Sequence, residues 1–322
     1  MVTSMARPAG GPADVPPDAS IGAPMGTQTA TQPGTRESTP DPRFEERRHV
    51  PDPEVETLEL SLLLEAVAQR YGFDFRSHER SAVKRKLHGL MARRGLRTIS
   101  QLQDRVLHDA AAASALLRAL GVAPASMFDD PDEAAQLLAV AEQCLPGAPL
   151  PKVWLADCAG AEQAWTAAVL LAERQLLWRT EIYATVPSDD LLEEALGASI
   201  PLDRMGDYQR SYERAGGSGR LSEYFHLEAG RMVPVPQLKS RITWAQYNLV
   251  TDASFNEFQL IVCRRALPDF GPLLRRRVLH LFHDSLAVLG VLGIDRELDD
   301  GDRAAGNYCQ VIAGQSWYKR LA

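Results

Sequence analysis

The sequence predicts an α/β protein, a doubly wound sheet preceded by a small all-α domain and a disordered N-terminal tail. Three observations carry that prediction. Lys152 to Leu171, KVWLADCAGAEQAWTAAVLL, reads as a short buried strand, a small-residue turn and a helix. Downstream of it, apolar strands alternate with helices to the end of the chain. Upstream, Leu58 to Gly121 keeps helical apolar spacing, whereas residues 1–56 hold hardly any large apolar side chains.

The tail, 1–56, is rich in Pro, Gly, Ala, Thr and charged residues. It cannot bury enough surface to offset ordering entropy, so it is expected to be disordered, a plain solvated tail or a tether. LELSLLLEAVAQRYGF begins the helical domain (57–121) near Leu58 and ends at Gly72. A second helix, about Ser77 to Arg94, carries Arg80, Lys84, Arg85, Lys86, Arg93 and Arg94 beside Val83, Leu87, Leu90 and Met91, with Gly95 as its stop. Ser100 is the candidate N-cap of a third helix, and a fourth runs from Ala113 to Leu120. The basic helix is either a solvated face or a docking surface for an acidic partner, because clustered cations steer association with anions.

The remaining region, 122–322, starts with a connector containing Met127-Phe128-Asp129-Asp130-Pro131, followed by a helix. Val153 to Leu155 is the central strand and Ala156 to Gly160 its turn. The helix from Glu162 puts Trp165, Val169 and Leu170 on a core face. Thr180 to Thr185 is a second strand, and Ser188 caps DDLLEEAL, whose first turn is acidic. Residues 203–236 read as an insert, polar at first and then a small hairpin. Ile242 to Tyr247 leads into Asn248-Leu249. Phe258 to Cys263 is continuously apolar, as for a strand buried on both faces. A helix from Leu273 to Leu286, a strand from Ala287 to Ile294 and a last strand from Tyr308 to Tyr318 complete the chain.

Composition narrows the function classes. With 45% hydrophobic and 24% charged residues, the chain is an ordinary globular one. A net charge of -7 argues against general nucleic-acid binding. Cys144, Cys158, Cys263 and Cys309 are scattered without CxxC spacing, which favours a reducing cytoplasm over a disulfide framework or zinc site. His280 and His283 lie three apart, but nothing nearby completes a metal set, so no metal is expected. Neither a signal-peptide core nor an apolar run of about 18 residues is present, so no membrane span is expected.

These blocks together resemble the chemotaxis-receptor (CheR-type) methyltransferase family. The blocks are KRKLHGLMARRG, VWLADCAGAEQAWTAAVLL, the stretch CRRALPDF (Cys263 to Phe270, taken as a strand) and LAVLGVLGI. The resemblance implies a basic helical domain, then a Rossmann-like methyltransferase domain with a small β-insert. It also implies methyl transfer from S-adenosylmethionine to glutamates of chemoreceptor-like proteins. It places the cofactor near Asp129, Asp157, Cys158, Gly160, Glu162, Val186, Asn248, Leu249, Arg264 and Arg265; the docking reading of the basic helix rests on its cluster of cations, Arg80, Lys84, Arg85, Arg93 and Arg94.

Departures from the family pattern sit where the cofactor is expected. The family's phenylalanine-phenylalanine-arginine-acid motif reads Met127-Phe128-Asp129-Asp130 here, so Asp129 replaces the arginine. The glycine loop reads Ala156-Asp157-Cys158-Ala159-Gly160-Ala161-Glu162-Gln163, with two glycines and two hydroxyls gone. The aspartate expected on the ribose is Val186, and the arginine-asparagine pair is Arg264-Arg265. A hydrogen bond to a charged group contributes about 1.5–3 kcal/mol, and like charges set together cost several more. The expectation is therefore a signalling or docking protein with an eroded cofactor pocket and weak or no methyl transfer. The alternatives are an active protein-glutamate methyltransferase and a methyltransferase of unrelated specificity. Two local readings stay open. Glu162 either neutralises its helix N-terminus or contacts a ligand. Arg264 and Arg265 either bind an anion or pair with Asp269. Cys158 and Cys263 are read as buried apolar residues.

Overall fold

The apolar runs assemble into one seven-stranded sheet in a computed structural model, which describes residues 52–298, 302 and 305–321. The strands are β1 (Lys152–Leu155), β2 (Glu181–Val186), β3 (Ile200–Pro201), β4 (Phe225–Glu228), β5 (Arg231–Pro234), β6 (Ile242–Gln246), β7 (Phe258–Cys263), β8 (Leu286–Ile294), β9 (Tyr308–Gln310) and β10 (Trp317–Arg320). The main sheet runs β6-β2-β1-β7-β8-β10-β9, and β3-β5-β4 form a separate antiparallel insert. From β6 to β8 all pairs are parallel, while β10 is antiparallel to both β8 and β9.

Helices cover both faces, as parallel pairing requires. They are α1 (Pro53–Tyr71), α2 (Arg80–Arg94), α3 (Ile99–His108), α4 (Ala110–Leu120), α5 (Pro131–Cys144), α6 (Ala161–Glu173), α7 (Asp189–Leu196), α8 (Met205–Arg214), α9 (Pro236–Lys239) and α10 (Pro272–Ser285). Alternation along β1 divides the core in two. Val153 and Leu155 pack with α5, α6 and the insert, and Trp154 packs with Phe258, Val278 and Phe282 on the α10 side. Trp154 is fully buried, and its indole N–H donates to Thr185 Oγ1 at 2.9 Å. A side chain at Gly293 would lie 2.2 Å from the Trp317 ring across the β8–β10 pair, so only glycine lets those strands meet. Among the described residues no helix is long and apolar enough to cross a membrane.

α1 to α4 form their own core around Leu60, Leu63, Leu87, Leu102 and Leu116, and this domain is stitched to the sheet. Lys86 Nζ donates to the Leu120 and Gly121 carbonyls at 3.0 and 2.8 Å and pairs with Asp269. The Glu79 N–H reaches the Asp269 carbonyl at 2.8 Å, the Gly271 N–H reaches that of Ser77 at 3.0 Å, and His78 bridges Phe270. On the far side Ser114 Oγ donates to Asp190 Oδ2 at 3.0 Å, and Arg118 pairs with Glu194.

Several expectations need correction. The disordered-tail reading falls outside the described residues up to residue 51, but the chain is already helical from Pro53, with Asp52 as the cap. Thr98, not Ser100, caps α3, in a reciprocal capping box with Gln101, and the Ser100 hydroxyl donates to Glu59 instead. The stretch from Cys263 to Phe270 is not a strand. β7 ends at Cys263, and Leu267–Asp269 is a single 3-10 turn, because the chain must reverse at the carboxyl end of this central strand to enter α10. Tyr308 to Tyr318 is a hairpin of two strands rather than one.

Candidate functional site

A crevice of about 410 Å³ opens at the carboxyl ends of β1, β2 and β6 and is closed on its other side by the helical domain. The chain leaves β1 toward β2 on one side and later returns as β7 on the other. A strand-order reversal of this kind is where open α/β sheets bind ligands. The sheet contributes Asp157, the Pro187–Asp190 segment, Gln246 to Val250, Asp269 and Phe270. The helical domain contributes Tyr71, Phe75, His78, Ser114 and Arg118.

The turn after β1 is shaped by its own contacts. Asp157 adopts φ 51, a left-handed conformation that aspartate accepts more readily than most residues. Gly160 has φ 99 and ψ -179, a region essentially confined to glycine. The Cys158 N–H donates to the Thr185 carbonyl at 2.8 Å and the Ala159 N–H to Gln163 Oε1 at 2.7 Å. Two amides that could face a ligand are thereby committed inside the protein. Cys158 and Cys263 are buried, and burial pushes the Cys158 thiol up to about 12 and raises that of Cys263 well above its ordinary value, as expected for inert packing residues.

Asp157 differs from its neighbours. Its side chain accepts no hydrogen bond from any described residue and lines the crevice. Burial pushes its carboxyl up to about 6, with Lys86 pulling it down and Asp269 adding to the rise. His78 packs between Phe75, tilted at 60°, and Phe270, edge to face at 86°, at ring separations of 5.0 and 5.1 Å, and its Nδ1 is buried without a partner. Burial holds this imidazole down at about 4, while Asp269 pulls the other way.

The residues expected to hold the cofactor divide into three groups. Asp157, Asn248 and Leu249 line the crevice. Asn248 also shapes its loop, donating its N–H to Asp252 and accepting from the Val250 N–H, each at 2.9 Å. Val186 and Cys158 are buried beside the crevice without lining it. Val186 is 1% exposed and packs in the apolar core on the α6 side.

The remaining residues are turned elsewhere. Arg265 pairs with Asp129 at 2.7 Å over a separate pocket of about 40 Å³. Arg264 donates to the Ile294 carbonyl at 2.6 Å, lies 3.4 Å from Glu133 and stacks 5.2 Å over Trp317. Asp269, offered as their partner, belongs to Lys86. Glu162, in the first turn of α6, accepts from the Met127 N–H at 2.9 Å and the Tyr208 hydroxyl at 2.6 Å, fastening the connector and the insert. His78, Tyr247 and the Ser188–Asp190 cap were not anticipated in the crevice. Pro187-Ser188-Asp189-Asp190 at a strand end was the available signal for the last of these.

The docking residues also divide. Lys84 is tied to Glu56 at 2.9 Å and Arg80 donates to Ser61 at 3.2 Å. Arg80, Arg85 and Arg93 are exposed and Arg94 is half-buried.

An S-adenosylmethionine molecule would find room here but a poor fit for its amino-acid end. The floor carries an unpaired carboxylate, Val186 presents no ribose acceptor, and the two arginines are engaged elsewhere.

The all-alpha domain model of CheR methyltransferase matches residues 58–120, and the model of its SAM binding domain matches 135–297. A Pseudomonas putida protein bearing the methyltransferase name Cher3 is 36% identical over 247 residues, 75% of this chain and 89% of that protein. The chemotaxis protein methyltransferase Cher2 of the same organism is 25% identical, over 44% of this chain and 52% of its own length. The N-methyltransferase NodS of Bradyrhizobium japonicum, solved with S-adenosyl-L-homocysteine, shares 12% identity over 61% of this chain and 89% of its own, with a TM-score of 0.33. Matched through both its helical and its sheet domain, the chain belongs to the CheR methyltransferase family.

Proposed function

We propose that this chain is a CheR-type protein with an eroded donor crevice, acting in the cytoplasm as a signalling or docking protein with weak or no methyl transfer to glutamate. The observation that supports this most is Asp157, an unpaired carboxylate on the crevice floor where the family pattern has glycine. A like-charge contact with the donor's carboxylate costs several kcal/mol. Methyl transfer needs no covalent nucleophile and depends on holding donor and acceptor in line, so a site that cannot hold the donor loses most of its catalytic means.

In this reading the exposed face of α2, with Arg80, Arg85 and Arg93, receives an acidic partner such as a chemoreceptor-like protein. Lys84 and Lys86 serve the fold instead. The four free cysteines accord with a reducing compartment.

Isothermal titration of the full chain with S-adenosylmethionine and S-adenosylhomocysteine is the test. The expected result is no saturation by either below the millimolar range. Low-micromolar binding would restore the methyltransferase reading.

A further inference from the structure

The crevice has a charge of its own. Asp74, Asp157, Asp189, Asp190 and Asp269 line it against a single guanidinium, Arg118, which is already paired with Glu194. Asp74 is held by Arg76 at 2.8 Å, Asp190 accepts from Ser114, and Asp269 is held by Lys86. Asp157, half-buried, and Asp189, exposed, accept nothing from any described residue. For Asp157, a carboxylate drawn out of water without a partner is a standing cost, and a cation is what relieves it. The walls suit one, because Phe75, Tyr247 and Phe270 bring aromatic rings to the same space. The volume, about 410 Å³, falls in the range of small-molecule sites.

We propose that this crevice binds an organic cation without a carboxylate, a sulfonium or amine carried on a flat body of nucleoside size, with Asp157 as its counter-charge. The proposal rests on reading the crevice as the donor crevice and states what replaced the donor's preference. S-Adenosylmethionine carries both a sulfonium that Asp157 attracts and a carboxylate that it repels. Decarboxylated S-adenosylmethionine keeps the nucleoside, the sulfonium and the amine, and loses only the repelled group.

The experiment is paired titration calorimetry of the full chain with these two compounds, in wild type and in Asp157→Asn. Asparagine accepts the left-handed backbone at this position about as well as aspartate does, and circular dichroism checks that the variant folds. The expected result is a preference of at least about tenfold for the decarboxylated compound in wild type, falling below about threefold in the variant.

Equal or tighter binding of S-adenosylmethionine, a preference untouched by Asp157→Asn, or no saturation by the decarboxylated compound would each overturn the proposal. The wild-type ratio alone suffices if the variant does not fold. Low-micromolar S-adenosylmethionine binding with the preference intact would sink the functional reading and spare this one. Failure of both compounds to bind would do the reverse.

Discussion

Two neighbouring cavities at the carboxyl end of the sheet handle charge in opposite ways. In the small pocket beside α5, Arg265 and Asp129 neutralise each other at 2.7 Å, and Arg264 nearby is turned to Glu133, Trp317 and a backbone carbonyl. In the large crevice beside the helical domain, Asp157 faces the space with nothing paired to it. The cations that an anionic group would need are therefore spent inside the protein, while an anion is left where a ligand would enter. Asp129 replaces the family's arginine and also engages Arg265, so the two changes act together.

The comparison can be broken most forcefully at the wall between the domains. Lys86→Ala leaves Asp269 with only the exposed Arg85, 4.0 Å away, in a site where Lys86 and Asp269 are both largely buried, and should cost about 3 kcal/mol in urea unfolding. A loss within error would mean that the helical domain is held without Lys86. Next, Asp157→Asn should raise stability at pH 7 by on the order of 2 kcal/mol. The folded-state carboxyl titrates at about 6, above its ordinary 3.8, so the folded protein binds the proton more tightly between those values. Stability from this group therefore falls as pH rises through that window, and the gap between variant and wild type should close as pH drops through it. A gap independent of pH would show that Asp157 is not an unpaired carboxylate drawn out of water.

His78→Leu probes the same wall with the opposite sign. The folded imidazole is held at about 4 against an ordinary 6.5, so the unfolded chain takes up its proton first as pH falls. Wild type should lose about 1–2 kcal/mol relative to the variant between those values, on top of the constant packing difference that the two show at pH 7.5. Matching acid limbs in chemical denaturation would remove His78 from the account. The smallest effect is expected on the outer face of α2. Arg80→Glu with Arg93→Glu should leave stability within about 0.5 kcal/mol while abolishing salt-sensitive binding to an acidic helical peptide, followed by fluorescence anisotropy. Unchanged binding would assign that face to solvent.

What the sequence showed and what it hid follow from range. β7 and β8 were legible because a continuous apolar run between turns has few other readings, and α2 because Gly95 ends it in the left-handed conformation. The Lys86–Asp269 pair joins residues 183 apart in the chain, and no local pattern announces it. The sequence marked Arg264 and Arg265 as candidates by type, but only the fold shows that both are turned away from the crevice. The Asp157 substitution was legible as an added charge. Its lack of a partner was not, since that depends on what α2, the β7–α10 turn and the β6 loop bring round it.

If the proposed reading holds, the crevice no longer takes a sulfonium donor that carries a carboxylate. A crystal of the full chain soaked in S-adenosylmethionine tests it directly. The expected result is no ordered donor between the ends of β1 and β2, with Arg265 still on Asp129. A fully occupied donor there, its carboxylate met by Arg265 swung away from Asp129, would contradict it.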